Sequence, residues 1–157
     1  MAEERKEYLK ITSGEMEQPF EWSAGIYGSK FLVELRDNKR LMGVKCPKCG
    51  IVYAIPRQVC RTCFVEMNEW VQLGDTGTIV TFAVLNFGFI DPDTGTQKPV
   101  PYTCAFIKMD GADTALAHFI DETDLDKLKL GMRVKPVFEE ERKGSLLDIK
   151  HFTLVDK

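Results

Sequence analysis

The chain has 157 residues, enough to bury a core as one domain or as two small ones. A hydrophobic content of 44% and a charged content of 29% suit a soluble globular protein, and no apolar run reaches the length of a membrane span. The formal net charge of −3 disfavours non-specific nucleic-acid binding, which depends on neutralising phosphates. The first ten residues are charged, without the apolar stretch of a secretory signal, and four of the five cysteines stand in metal-ligand spacing. A cytoplasmic protein with no membrane association is expected.

Residues 1–19 are polar and are expected to order only against a partner or the rest of the chain. Phe20, Trp22 and Tyr27 follow as an aromatic cluster. The pattern predicts a helix over 23–38, with Ile26, Tyr27, Phe31, Leu32 and Leu35 on one face, Ser23 as N-cap, and Arg36, Asn38 and Lys39 at the end. Such a helix either packs on its own domain or offers its aromatic residues to a partner.

Residues 39–73 carry Cys46-Pro-Lys-Cys49-Gly50 and, with ten residues between Cys49 and Cys60, Cys60-Arg-Thr-Cys63. Each C-x2-C turn lets two thiolates reach one ion, and two such turns supply four soft ligands to a closed tetrahedral site. Zinc is the expected metal. By ligand type iron remains the alternative, and two disulfides or four thiols the reading without metal. Four cysteine ligands leave no open position for water or substrate, so the metal is expected to be structural. Lys45, Lys48, Arg57 and Arg61 lie close enough in sequence to offset the charge of the thiolates. Short strands at 40–45, 51–55 and 68–73 complete a zinc ribbon whose small core makes the metal a main source of stability.

Gly74-Asp-Thr-Gly77 reads as a turn and a domain boundary. Strands are predicted at 78–87, 102–109, 114–120, 132–141 and 146–155, with a short helix or turn over 121–130. Pro136 inside the fourth strand suggests an edge or a bulge. Five strands with a helix between the third and fourth give the order of an OB-fold barrel. The fold class is therefore mainly β with an N-terminal helix, a rubredoxin-like zinc ribbon and a five-stranded OB-fold barrel. The expected division is 1–38, 39–73 and 74–157. The long segment 86–101, with Phe87, Phe89 and Ile90 at its start and three prolines, reads as a binding loop.

Helix, ribbon and barrel in this order resemble the DUF35 family, proteins associated with acyl-CoA enzymes. The matching residues are Leu41 and Gly43 before Cys46-Pro-Lys-Cys-Gly50, Ile55-Pro-Arg57, Cys60-Arg-Thr-Cys63, Trp70, Gly74 and Gly77-Thr-Ile-Val-Thr-Phe82. Pro101-Tyr102 and Leu130-Gly-Met-Arg-Val134 follow. The likeness spans nearly the whole chain from Trp22; Ile55 stands where the family often has a second proline. It implies an accessory subunit of a thiolase-type complex, in which the partner carries the nucleophilic cysteine of a Claisen or retro-Claisen reaction. Such complexes include degradative ones, among them aromatic acyl-CoA thiolases.

Under that reading Trp22, Tyr27, Phe31, Phe87, Phe89 and Ile90 are the partner-binding candidates. Lys48, Arg57 and Arg61 are the candidates for the phosphates of CoA, since guanidinium groups donate bidentately to phosphate. No catalytic residue is assigned, and no activity is expected of the chain alone. Cys104 lies mid-strand, where a cysteine is usually an inert small hydrophobe, and His118 and His151 read as barrel residues. The alternative is a module for single-stranded nucleic acid, with Phe82, Phe87, Phe89, Tyr102 and Phe106 as stacking platforms.

Overall fold

The computed structural model describes residues 10–12, 21–88, 90, 95–97 and 99–155. Strand β1 (Lys10–Thr12) pairs antiparallel with β2 (Glu21–Ser23), placing part of the polar N-terminal stretch in a small sheet. Phe20 lies outside the described residues. Helix α1 runs Gly25–Asn38. Its N-cap is Ala24 and not Ser23, although the Ser23 hydroxyl accepts the N–H of Gly25 at 3.1 Å. At the other end Lys39 turns left-handed, and its N–H reaches the carbonyl of Leu35.

The ribbon is a three-stranded antiparallel sheet in the order β4-β3-β5, from β3 (Met42–Lys45), β4 (Val52–Tyr53) and β5 (Glu69–Gln72). The barrel is closed in the order β10-β8-β7-β6-β9. Its strands are β6 (Gly77–Leu85), β7 (Tyr102–Met109), β8 (Leu116–Ile120), β9 (Arg133–Phe138) and β10 (Ile149–Leu154). The first strand pairs with both β7 and β9, and β10 runs parallel to β8 through Phe152 and Ile120. This is the connectivity of the OB-fold. Pro136 sits opposite Phe152 on β10, beyond the two residues through which β9 pairs with β6, and the bulge lies in β10 between Ile149 and His151, across from Phe138 and Val137.

Of the two forms expected between β8 and β9, the structure has the turn and not the helix. There Glu122 Oε1 accepts the N–H groups of Thr123 and Asp124, and Asp124 Oδ1 accepts that of Asp126. Residues 125–127 form a turn, closed by the Lys127 N–H on the Asp124 carbonyl at 3.1 Å. The predicted last strand also begins late. Residues Leu146–Asp148 form one turn of 3-10 helix, held by a reciprocal cap between Ser145 and Asp148. The buried Asp148 carboxylate accepts the N–H groups of Lys143 and Gly144 as well.

One core joins all three parts. Ile79, Ile107, Met109, Leu116, Val134, Ile149 and Phe152 fill the barrel; inward and outward residues alternate over 105–109 and 116–120, and bulges shift the alternation in β6 and β10. Phe31, Leu32 and Leu35 of α1 and Leu41, Ala54 and Leu73 of the ribbon pack into the same cluster. Polar contacts reinforce the joint. Val52 and Asp113 exchange bonds: the Val52 N–H reaches the Asp113 carboxylate, and the Asp113 N–H the Val52 carbonyl, both at 2.8 Å. The Ala54 N–H reaches the Thr114 hydroxyl at 2.9 Å.

The barrel is latched where β6, β7 and β9 meet. Arg133 donates bidentately to Asp110 and also to the hydroxyls of Thr76 and Thr78. These bonds hold the Asp110 carboxyl down to about 2, with Arg133 the largest cause and the Thr76 hydroxyl next. A depressed carboxyl stabilises the fold above its unfolded value, near 3.9, and the gain is lost as pH falls through about 2. Both side chains are more than a third exposed, so screening limits the gain to about 1 kcal/mol. Asp110→Asn is therefore expected to lower Tm by about 2–4 °C at pH 7, and by much less near pH 2. Thermal melts across that range check this; an equal loss at both pH values would contradict it.

Candidate metal centre

The two knuckles repeat one backbone design. In the first, the N–H of Gly50 reaches the carbonyl of Cys46 and the N–H of Cys46 that of Ile51, both at 2.9 Å. In the second, Phe64 bonds Cys60 at 2.9 Å and Cys60 bonds Val65 at 3.0 Å. Each turn closes on a residue in the left-handed region, Gly50 at φ 76° and Phe64 at φ 54°. Glycine adopts this conformation freely and phenylalanine does not. The first cysteine of each pair is buried, while Cys49 is exposed and Cys63 half-buried.

The four sulfurs lie within 4.8 Å of one another, and Cys49 Sγ is 3.8 Å from Cys60 Sγ. A tetrahedron with metal–sulfur arms of about 2.3 Å has edges of about 3.8 Å. The sulfur separation excludes a disulfide between these two, which needs about 2.05 Å. The donor set therefore fits a closed four-thiolate metal site. Backbone N–H groups support it from outside: those of Cys49 and Cys63 point at Cys46 Sγ and Cys60 Sγ, each at 3.5 Å.

Tyr53 adds a contact that the cysteine spacing does not reveal. Its hydroxyl lies 3.5 Å from Cys60 Sγ and donates to it once the sulfur is a thiolate. This bond, with the N–H groups of Cys63 and Thr62, draws the Cys60 thiol down to about 6 against the burial that opposes it. Burial and the neighbouring sulfurs push Cys63 up to about 12. One ligand is thus prepared as a thiolate, while Cys63 must release its proton to an incoming cation. The Arg57 guanidinium sits 5.6 Å from the centre of the Tyr53 ring and backs it as a cation–π contact.

Helix α1 clamps the far side of the ribbon. The Tyr27 hydroxyl donates to the Met67 carbonyl at 2.6 Å, and its ring stacks on Trp70 with centroids 5.6 Å apart. Lys30 Nζ lies 4.5 Å from the Trp70 ring centre.

The site candidates read from the sequence separate in space. Phe31 is 4% exposed in the shared core, so it is not a partner contact: the barrel covers the helix face that a ribbon alone would have left open. Tyr27 is half-buried and engaged with the ribbon. Trp22 is described only by its place in β2. Phe87 and Ile90 are exposed, Ile90 bridging to Gln97, while Phe89 and residues 91–94 lie outside the described residues. Lys48, Arg57 and Arg61 are exposed at the knuckle end of the ribbon. His118 is a core residue, its Nε2 3.2 Å from the Leu146 carbonyl and its ring against Phe119 and Phe152. Of the stacking candidates, Tyr102 is buried and Phe82 packs against the core, whereas Phe106 is exposed on the outer barrel face. Among the described residues no helix is long and apolar enough to cross a membrane.

Cys60→Ser is expected to remove the metal, read as a fall from about one ion per chain to near none by elemental analysis. Tyr53→Phe is expected to keep the stoichiometry but weaken metal affinity at pH 7 roughly tenfold, because Cys60 loses its donor. Chelator competition measures this; unchanged affinity would deny Tyr53 its role.

Residues 34–68 match a family model described as the rubredoxin-like zinc ribbon domain of ChsH2, and residues 70–139 one described as its C-terminal OB-fold domain. The chain is 28% identical over 105 residues to a DUF35 domain-containing scaffold protein of Methanocaldococcus jannaschii, covering 66% of this chain and 71% of the relative. A DUF35-family crystal structure of unknown function from Sulfolobus solfataricus superimposes with a TM-score of 0.57 at 21% identity, covering 83% of this chain and 84% of that one. A structure named Ltp2-ChsH2(DUF35) aldolase does so with a TM-score of 0.56 at 20% identity, covering 80% and 91%. The structural likenesses speak for the fold alone. With the two models side by side on the ribbon and the barrel, the chain belongs to the DUF35 family of zinc-ribbon and OB-fold proteins.

Proposed function

We propose that this chain is a non-catalytic accessory subunit of a thiolase-type acyl-CoA enzyme complex, aiding its assembly and the binding of its CoA substrate. The observation that carries the reading is the architecture itself: a four-thiolate ribbon built into the base of an OB barrel, in a family with one relative named a scaffold protein. A structural neighbour named an aldolase of Ltp2 and ChsH2(DUF35) supports a role within a carbon–carbon bond-forming or -breaking complex. The reaction served is then Claisen or retro-Claisen chemistry on an acyl-CoA, including degradative cleavage of an aromatic acyl-CoA.

Zinc is the metal that suits this ribbon, and its role is structural: four protein sulfurs complete a tetrahedral ion and leave no place for substrate. The partner supplies the nucleophile. This chain offers exposed contacts at Phe87 and Ile90; Phe89, between them in sequence, and Trp22, before the helix, are the further candidates. Lys48 and Arg61 are free of ion pairs among the described residues and are suited to the phosphates of CoA. Arg57 is the third candidate, although it also backs Tyr53.

Two measurements test this. The full chain, purified from its own cells at native level, should carry a thiolase-type protein with about one zinc per chain. Recovery of nucleic acid or ribosomal components in its place would contradict the reading. In the isolated complex, the double variant Lys48→Ala, Arg61→Ala should raise KM for the acyl-CoA roughly tenfold, with kcat and zinc content little changed. An unchanged KM would take these residues out of the CoA site.

A further inference from the structure

The four cysteines of the metal centre are not equally placed. Cys46 and Cys60 belong to the buried cluster of the ribbon, with Val44, Tyr53 and Met67. Cys63 packs against that cluster half-buried, and Cys49 alone of the four is exposed. Cys46 follows directly on β3, while Cys49 lies on the turn beyond it, in an exposed run from Pro47 to Gly50. Gly50 leaves the flank of Cys49 open: a Cβ there would meet nothing within 4 Å. The matching place after Cys63 holds the side chain of Phe64.

The two buried sulfurs are also held by donors. Cys46 Sγ accepts the Cys49 N–H, and Cys60 Sγ accepts the Cys63 N–H and, as a thiolate, the Tyr53 hydroxyl, each at 3.5 Å. The Ile51 N–H bonds Cys49 as well, so access and not hydrogen bonding sets Cys49 apart. A bound cation makes every ligand a thiolate, and differences in thiol acidity then no longer rank the four. Among thiolates, the rank in reactivity follows how readily an outside molecule reaches each sulfur.

We infer that Cys49 is the ligand through which the metal site opens, and the position at which a soft electrophile of the α,β-unsaturated carbonyl class modifies this chain. The Cys49 thiolate adds to the β-carbon. Its electron pair makes the new S–C bond, the π pair of the C=C bond moves onto the carbonyl as an enolate, and a proton from water completes the adduct. The thiolate is the form that ligates, and the product is a neutral thioether. Cys46, Cys60 and Cys63 are then left with a site open at its fourth position. The buried cluster of the ribbon is small, so loss of the ion loosens the ribbon as a whole. This inference does not depend on the accessory-subunit reading.

The full metal-loaded chain, treated with N-ethylmaleimide below one equivalent, tests it. Peptide mass spectrometry with fragmentation locates the adduct, and a chromogenic zinc indicator follows the metal. Among the four ligands, Cys49 should react about tenfold or more faster than Cys46, Cys60 or Cys63, and metal release should keep pace with its modification. First modification of Cys63 or of a buried ligand, equal rates at all four, or metal release ahead of any adduct would each overturn the inference. This adduct map needs no variant. Cys49→His gives a second reading, since three cysteines and a histidine also make a closed zinc site. That variant should keep one metal per chain and release it to the reagent about tenfold or more slowly than the wild-type chain. Release at the wild-type rate would overturn the inference.

Discussion

The convergence of four sulfurs within 4.8 Å is the constraint on which the ribbon depends. The buried residues around it are few: Val44, Cys46, Tyr53, Cys60 and Met67, two of them ligands. So small a cluster cannot offset the conformational entropy of some thirty-five ordered residues by apolar burial alone. The cation is what makes the thiolates compatible with one another. Without it, burial and the neighbouring sulfurs push Cys63 up to about 12, so that this ligand holds its proton.

From this centre the order spreads by identifiable contacts. Tyr53 touches Cys60 through its hydroxyl and sits in β4, whose Val52 is bonded in both directions to Asp113 of the barrel. Tyr27 binds the Met67 carbonyl from the helix, while Phe31, Leu32 and Leu35 on the same helix enter the barrel core. The helix therefore touches both the ribbon and the barrel, and the three parts bury one continuous apolar cluster. Surfaces on the helix, the ribbon and the barrel are in this way carried on a common frame. That arrangement suits a subunit whose task is to position other molecules and not to react with them.

Much of this was legible in the residues. The spacing of Cys46, Cys49, Cys60 and Cys63 requires only local turns to bring the sulfurs together, and the β-branched run from Thr78 onward leaves little choice but a strand. The strand at Tyr102–Met109 was read to the residue. What could not be read depends on neighbours distant in sequence. The helical face containing Phe31 looks the same whether a barrel or a partner covers it. The acidic residues at 122–126 cap local donors as at a helix start, yet the chain makes only a turn at 125–127. Nothing in the spacing of Tyr53 announces its bond to Cys60. Phe64 did leave a signal: aligning the two knuckles sets it against Gly50, and the shared turn geometry carries over to it.

The most direct measurement is a reconstitution of acyl-CoA turnover from the separately purified, metal-loaded chain and its thiolase-type partner. The expected result is no turnover by this chain alone, and a kcat/KM of the partner that rises on adding the chain and saturates at a fixed ratio of the two. Turnover by this chain alone, or a partner whose kinetics are indifferent to its presence, would contradict an accessory role.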